Sequence, residues 1–269
     1  MSGSPHTLTP QNLIEHLDQG SLWPGPCGLS LDAAYAQALA VRHLRMERGE
    51  QPFGYKIGFT NRTIWPLYQV FAPIWGIVWD STLQHCDGDG ALSLAHTCQP
   101  RLEPEIVFGM KATPPPEASF EELFDAIDWM APGFEVVQSQ LPDWTFKAAD
   151  TVADSGLHAR LLVGSRLPVR TFAADAAELD SQLAQASMTL SRNGKVVEQG
   201  QGHNVLNSPL RALHHFLGEL RACPGAPDLQ SGDVVTTGTW TDAWPMEPEQ
   251  RWDATFSLPG MTLALRTTT

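Results

Sequence analysis

Positive charge is scarce in this sequence. Only 17 Lys and Arg residues stand against 30 Asp and Glu residues, which gives a formal net charge of −13 over 269 residues. A chain with this balance repels a phosphate backbone, so we expect no nucleic-acid partner. Charged residues make up 17% and hydrophobic residues 42% of the chain, which is typical of one large folded domain, or of one domain with a small appendage.

Cysteines and long apolar runs are also few. The four cysteines form no CxxC pair and no pattern typical of disulfides, which predicts a reducing, cytoplasmic environment. The first residues lack the basic and apolar regions of a signal peptide, so we expect no export. The longest apolar run, 64–79, is broken by Pro66, Pro73 and Gly76 and is shorter than the ~20 residues that span a bilayer, so we expect no membrane partner.

Several catalytic motifs are missing as well. The sequence contains no GxSxG, no phosphate-binding P-loop and no GxGxxG after a strand, so serine hydrolases, NTP-dependent enzymes and dinucleotide-binding enzymes lack support. The nine histidines form no zinc pattern, and we expect His214 and His215 to face solvent or to pack singly.

The most informative stretch is 101–108, where Glu103 and Glu105 are separated by a single residue. In a strand these two side chains point to the same face. Two adjacent carboxylates repel, so they require a cation, a shared proton or open solvent. Oxygen ligands favour Mg²⁺, Mn²⁺ or Ca²⁺. The alternative is an edge strand with solvated acids, which Pro104 favours because it cannot donate to a sheet.

Three further residues are candidates for chemistry. Glu135 lies in Gly-Phe-Glu-Val-Val, where a buried acid must be paired, protonated or metal-bound, and it could complete a three-carboxylate cage. Lys56 lies between Gly54 and Gly58, which would let the backbone approach a ligand. It is either a surface lysine or, if buried near carboxylates, a proton carrier or substrate anchor. Asp154 is interpreted from its local sequence as a helix cap or turn residue.

Apolar periodicity predicts helices at 8–18, at about 33–48 after a Ser30 cap and at about 208–220, with a further helical segment near 119–130. From Leu83 onward, short apolar segments between Gly, Pro and Asp predict mostly strands. We therefore expect an N-terminal helical region at 1–80 and a β-rich catalytic region at 81–269. The predicted inward face of the second helix consists of Leu31, Ala34, Tyr35, Ala38, Val41 and Leu44.

Seven short motifs occur along the chain in a fixed order and cover nearly all of it from about residue 30. They are Leu31-Asp-Ala-Ala-Tyr, Gly54-Tyr-Lys-Ile-Gly-Phe-Thr, Gln99-Pro-Arg-Leu-Glu-Pro-Glu-Ile-Val-Phe, Gly133-Phe-Glu-Val-Val, Val152-Ala-Asp, Gly200-Gln-Gly and Ser231-Gly-Asp-Val-Val-Thr-Thr-Gly.

This ordered set resembles the 2-keto-4-pentenoate hydratase and 4-oxalocrotonate decarboxylase family of the fumarylacetoacetate hydrolase superfamily. The resemblance implies an α+β fold with a β-rich rolled mixed sheet and a small N-terminal helical region. It implies a Mg²⁺ or Mn²⁺ site at Glu103, Glu105 and Glu135, with Lys56 and Asp154 beside the substrate. It also implies a homo-oligomer, with possible association with a decarboxylase or hydratase partner.

The activity that the resemblance implies is metal-dependent hydration of a 2-hydroxy-2,4-dienoate to a 4-hydroxy-2-keto acid. Lys56 would hold the substrate carboxylate and relay protons, and Asp154 would orient Lys56 or act as the base. A decarboxylase of a 4-oxalocrotonate-type diacid, or a C–C hydrolase of an acylpyruvate, would use the same metal, so both remain alternatives.

The chain departs from the family pattern in two places. An Ala-Asp-Asn motif is replaced by one in which Ser155 follows Asp154, and a small-residue run is replaced by 202–207, which contains His203, Asn204 and Asn207. Asn207 is compatible with a left-handed backbone. The bulk of His203 and Asn204 would alter the pocket. A catalytically altered accessory subunit is therefore a further alternative. Trp240 and Trp244 are interpreted either as a reshaped pocket wall or as core residues.

Overall fold

A computed structural model of the chain describes residues 8–68 and 70–269. The segment 1–7, which bears on the expectation of no signal peptide, lies outside the described residues. Within the described ranges, no helix is both long enough and apolar enough to cross a lipid bilayer.

The helices begin where the sequence supplies a cap. Ser30 accepts a hydrogen bond from the backbone N–H of Ala33, and Ser208 caps a later helix that starts with Pro209. Within the described residues the helices are α1 Pro10–Gln19, α2 Leu31–Glu47, α3 Trp65–Tyr68, α4 Phe120–Asp125, α5 Ala148–Ala153, α6 Ala176–Gln185 and α7 Pro209–Ala222.

The strands fall into a larger and a smaller sheet. They are β1 Pro52–Gly58, β2 Ile74–Trp79, β3 Leu83–His85, β4 Asp89–Ser93, β5 Arg101–Met110, β6 Ile127–Val137, β7 His158–Val163, β8 Leu167–Pro168, β9 Ser187–Arg192, β10 Lys195–Gln201, β11 Val234–Thr236, β12 Trp244–Pro245, β13 Arg251–Phe256 and β14 Thr262–Thr268.

The larger sheet has the order β2-β1-β11-β5-β6-β7-β3, with β12 on β5 and β8 on β6. It is mixed, because β1 pairs with β11 in parallel and with β2 antiparallel. The smaller sheet has the order β10-β9-β13-β14-β4. This arrangement confirms the predicted α+β class and places β5 and β6, which carry the acidic motifs, in the interior of the larger sheet.

Most of the predicted elements are present, with two corrections. The helix predicted near 119–130 ends at Asp125, because Ile127 begins the long strand β6. On α2, Ala34 and Val41 are buried as expected, but Leu31 is 41% exposed because it lies at the first turn, beyond the packed face.

The division at residue 80 stays a prediction. Strands β1 and β2 lie before that residue, yet they belong to the same sheet as β5 and β6. The helices α1 and α2 and their neighbours have a small apolar cluster of their own, which includes Leu13, Trp23 and Val41. The N-terminal region therefore supplies helices to the outside and two strands to the central sheet.

Candidate metal and substrate site

The acidic residues meet through strand register. In the antiparallel pair β5–β6, Glu103 lies directly opposite Glu135, and Glu105 lies two pairs further along, opposite Gly133. One carboxylate oxygen from each of Glu103, Glu105 and Glu135 lies within 4.8 Å of the others. Glu105 and Glu135 are buried, whereas Glu103 is partly exposed. The alternative of an exposed edge strand is wrong, because β5 is flanked on both sides.

Hydrogen bonds orient two of these carboxylates but do not reach all of their oxygens. Glu105 Oε2 accepts from the Thr236 hydroxyl and from the Gly238 backbone N–H, the latter at 2.6 Å. Oε1 of Glu105 is buried and accepts no hydrogen bond from the described residues, and the buried Oε2 of Glu135 has the Lys56 ammonium as its neighbouring donor. A buried carboxylate oxygen without a donor is costly, and one ammonium cannot balance three carboxylates, so the cage needs a cation or protons.

Lys56 is buried and lies at the edge of the cage. Its Nζ forms an ion pair with Glu135 Oε2 at 3.0 Å, and its side chain is only 3% exposed. The interpretation of Lys56 as a surface lysine is therefore wrong. Strand β1 reaches this position because Gly156, at φ 68°, leaves room for the lysine stem. Gly54 does not approach a ligand: a Cβ there would overlap the backbone of Val234 on the neighbouring strand.

The charges in the cage shift one another. Burial, followed by repulsion from Glu135, raises the pKa of Glu105 well above its ordinary value. Burial likewise raises the pKa of Glu103 to about 7. Burial would also raise the pKa of Glu135, but the Lys56 ammonium and His158 outweigh it and the pKa is lowered. Without a cation, a proton is therefore favoured on Glu105 and, below about pH 7, on Glu103, whereas Glu135 is the carboxylate that keeps its negative charge.

His158 holds Glu135, one of the three carboxylates of the cage, in place. Its Nδ1 lies 2.8 Å from Glu135 Oε1, and its Nε2 lies 2.9 Å from the Thr82 hydroxyl. Burial lowers the pKa of His158, so the neutral ring is favoured. A proton on Nδ1 lets the ring donate to Glu135 while Nε2 accepts from Thr82, which satisfies both contacts. No local sequence pattern identifies His158, because its contact with Glu135 depends on the pairing of β6 with β7.

Asp154 forms no hydrogen bond and no ion pair with Lys56 within the described part of the chain. It is buried, and its Oδ2 accepts the backbone N–H of Gln140 at 3.0 Å. Burial raises the pKa of Asp154 to about 8. The side-chain oxygen of Gln140 faces this carboxyl group, which suits a protonated Asp154 that donates; an ionised Asp154 requires the amide to turn over. Asp154 also ends α5, so the predicted cap position at a helix terminus is partly confirmed.

A cavity of about 180 Å³ opens next to the cage. Its polar end is formed by Lys56, Glu103 and Thr239, and Arg101 also lines it. Its apolar wall contains stacked rings, with Phe59 on Tyr68 at 5.0 Å and Tyr68 on Phe146 at 5.3 Å between centroids. The cavity can thus hold a small molecule whose polar end faces the carboxylates.

The departure at 202–207 lies away from this cavity, whereas Gly156 and Leu157, which follow the replaced residue at Ser155, line it. Asn204 donates to the backbone of Trp240, and Trp240 is buried in the core, only 1% exposed. Trp244 donates to Glu198. Neither His203 nor Asn204 lines the cavity in the described residues, so the predicted change of pocket is wrong. Asn207 has φ 75°, which confirms the left-handed conformation.

The cage fits a divalent cation. Its three ligand groups are carboxylates, and Glu105 presents a buried oxygen that has no hydrogen-bond donor among the described residues. Hard cations such as Mg²⁺ and Mn²⁺ prefer such oxygen ligands. A cation would also remove the need for protons on Glu103 and Glu105.

Comparisons with known proteins show which family the chain is similar to. Residues 81–260 match the model of the fumarylacetoacetate (FAA) hydrolase C-terminal family. The chain is 33% identical over 227 residues to 2-hydroxyhexa-2,4-dienoate hydratase of Comamonas testosteroni, covering 84% of this chain and 82% of that protein. It is 30% identical over 217 residues to 4-oxalocrotonate decarboxylase of a Pseudomonas species, covering 81% of this chain and 79% of that one.

A solved structure shares the fold over almost the whole chain. It is 4-oxalocrotonate decarboxylase from Pseudomonas putida G7, complexed with magnesium and adipate, with a TM-score of 0.85 at 22% identity. The match covers 96% of this chain and 95% of that one. The β-rich mixed sheet with an N-terminal helical region is therefore the fold of this group, as the sequence predicts.

Proposed function

The chain belongs to the fumarylacetoacetate hydrolase C-terminal family, and from that premise we propose that it is a hydro-lyase of aromatic-compound catabolism. It hydrates a 2-hydroxy-2,4-dienoate to a 4-hydroxy-2-keto acid, as the names of its hydratase relatives support. The observation that carries this proposal is the cage of Glu103, Glu105 and Glu135 beside the buried ammonium of Lys56.

We propose that the three carboxylates hold Mg²⁺ or Mn²⁺. When bound, such a cation supplies positive charge for the oxygens at C1 and C2 of a 2-keto acid. His158 orients Glu135, and the Thr236 hydroxyl and the Gly238 N–H orient Glu105. These contacts fix the carboxylates before any ligand arrives, which is the preorganisation that such a site requires.

Hydration moves protons at defined atoms. The enol proton leaves O2, C5 and C3 each gain a proton, and the hydroxyl group of water joins C4, so that one water is added in total. We propose that Lys56 Nζ carries a proton between these atoms, because it is the ammonium group that borders both the cage and the cavity. The apolar wall of Phe59, Tyr68 and Phe146 limits the access of bulk water to the carbon chain.

For Asp154 we propose a positioning role. Its carboxyl group holds the backbone of Gln140, and the turn that follows it contains Gly156, which packs on the stem of Lys56. An acid that acts directly would have to reach the cavity, and the residues lining it do not include Asp154. Asp154 therefore acts through the placement of Lys56.

The experiment is a panel of 2-hydroxy-2,4-dienoates, 4-oxalocrotonate-type diacids and acylpyruvates, assayed with Mg²⁺ and Mn²⁺. Hydration, CO₂ release and C–C cleavage are read separately. We expect hydration of a dienoate. CO₂ release from the diacid would instead support the decarboxylase that one relative's name suggests. Metal binding without turnover of any compound would support the altered accessory subunit.

We further propose that the chain forms a homo-oligomer in the cytoplasm, with a decarboxylase or hydratase as a candidate partner. Exposed apolar side chains at one cavity, including Phe71 at 87% and Leu31 at 41% exposure, support an interface between copies. The four cysteines are unpaired in the described structure, which supports a reducing compartment. Light scattering on the purified protein measures the oligomeric state, and a monomer would contradict the first part.

A further inference from the structure

The cavity beside the carboxylate cage contains two cationic side chains, Lys56 and Arg101. Lys56 already has an acidic partner, since its ammonium pairs with Glu135 at 3.0 Å and is almost completely buried. Arg101 has no such partner: among residues 8–68 and 70–269 its guanidinium forms no ion pair with an acid and donates no hydrogen bond. Its N–H donors are therefore free for a ligand.

The surroundings of Arg101 favour the binding of an anion. Its guanidinium lies 4.2 Å from the centroid of the Trp144 ring, and the indole N–H of Trp144 donates to the Gln99 carbonyl at 3.1 Å. Stacking on an anchored ring orients the guanidinium and leaves its edge open. Partial burial removes water from the guanidinium, and a bound anion would offset the free energy of this desolvation. The edge of a guanidinium matches a carboxylate, which can accept two parallel hydrogen bonds.

Strand geometry places Arg101 at a useful distance from the cage. Arg101 and Glu103 lie two residues apart on the same face of β5, with Arg101 opposite Val137 and Glu103 opposite Glu135. Two residues of a strand span roughly 7 Å. A small acid that reaches the cage with one end can therefore bring a carboxylate to the guanidinium within the same cavity.

We propose that Arg101, and not Lys56, binds a carboxylate of the substrate. This inference rests on the proposed function, and it leaves Lys56 free to move protons. The carboxylate has two possible sources, the C1 group common to every 2-hydroxydienoate and a second group at the far end of a diacid. The shared chemistry is a bidentate guanidinium–carboxylate pair, and the test separates the two sources.

The test compares wild type, Arg101→Met and Arg101→Lys, all with Mg²⁺. The matched control is Arg192→Met, because Arg192 also lies over tryptophan rings, those of Trp244 and Trp252, but outside the cavity. The substrates are 2-hydroxypenta-2,4-dienoate, with one carboxylate, and 2-hydroxyhexa-2,4-dienedioate, with two. Calorimetric titrations with pyruvate and with adipate measure binding without turnover, and Mn²⁺ affinity and thermal unfolding report on the cage and the fold.

We expect Arg101→Met to raise KM, and to weaken binding of the matching probe, by about 10- to 100-fold, the scale of a lost hydrogen-bonded charge pair, with a smaller change in kcat and unchanged Mn²⁺ affinity. A loss for both substrates and for pyruvate identifies the C1 carboxylate; a loss for the diacid and adipate alone identifies the distal one. The KM and the probe affinity of Arg101→Lys should lie between those of wild type and Arg101→Met, because a point charge cannot form the bidentate pair. If Arg101→Met does not fold, Arg101→Lys carries the test, with a several-fold loss expected.

A failure of the inference about Arg101 can be distinguished from a failure of the proposed function. If wild type converts neither dienoate, the hydratase proposal fails, and the binding titrations alone decide the role of Arg101. If both Arg101 variants bind pyruvate and adipate as tightly as wild type and the Arg192→Met control do, the inference about Arg101 is overturned whatever the activity.

Discussion

Replacement of Lys56 by methionine is the most informative single change in the cage. The Lys56–Glu135 pair has a separation of 3.0 Å, with side-chain exposures of 3% and 0%. Removal of one partner from a buried pair destabilises a protein by about 3–5 kcal/mol, because the other charge stays buried without its counter-ion. A domain of this size is stable by about 5–15 kcal/mol, so we expect the metal-free variant to remain folded but to unfold at lower urea concentration.

The loss should depend on pH, and its sign follows from Glu135. Without the ammonium, burial dominates and raises the folded-state pKa of Glu135 above its value in the unfolded chain. Such a group contributes stability that is present below the unfolded pKa and is lost as pH rises through the folded pKa. The destabilisation of Lys56→Met should therefore be larger at about pH 8 than at about pH 5.

The assay is urea unfolding of metal-free wild type and variant at both pH values, followed by turnover with Mg²⁺. We expect a loss of activity of about 10²-fold or more, the scale of general acid–base catalysis. Lys56→Arg should not restore activity, because a guanidinium does not give up its proton. Lys195→Met, at an exposed position, is the control. Stability and rate near those of wild type for Lys56→Met would refute the account of this pair.

Other predictions concern the remaining residues of the site. Glu103→Gln should weaken metal binding measured by calorimetry and leave the circular dichroism spectrum unchanged; global unfolding would identify a structural carboxylate instead. Metal affinity should rise with pH through about 7, with protons released, because Glu103 and Glu105 must lose theirs to bind a cation; an affinity independent of pH would contradict this. His158→Ala should lower metal affinity by about 10- to 100-fold, and His158→Asn by less if its amide still donates to Glu135. Asp154→Asn should stabilise the metal-free protein more at about pH 8 than at about pH 5, because the raised pKa of Asp154 makes folding of the wild type less favourable as pH rises. The same difference in urea midpoint between variant and wild type at both pH values would contradict this.

Local sequence patterns predicted the parts of the site that lie on one strand. The alternation of a strand puts Glu103 and Glu105 on one face, and the apolar setting of Glu135 requires a partner. The capped helix α2 and the helix starting at Pro209 were likewise readable from caps and periodicity. These features depend only on residues that are close in sequence.

The remaining features depend on contacts between distant segments. His158 reaches Glu135 only because β6 pairs with β7, and no local pattern gives that register. Arg101 stood at the start of the acidic motif, but its role depends on Trp144, which another loop supplies. The hydrogen bond from the backbone N–H of Gln140 to Asp154 likewise joins two segments that no local pattern brings together.

The most direct test of the proposed activity is the product formed from 2-hydroxypenta-2,4-dienoate by the purified protein with Mg²⁺, identified by proton NMR. We predict one product, the 4-hydroxy-2-keto acid, with no product after chelation and full recovery when Mg²⁺ or Mn²⁺ is restored. Unchanged turnover in metal-free protein, or no hydration when the carboxylate cage of Glu103, Glu105 and Glu135 is loaded with metal, would contradict the account.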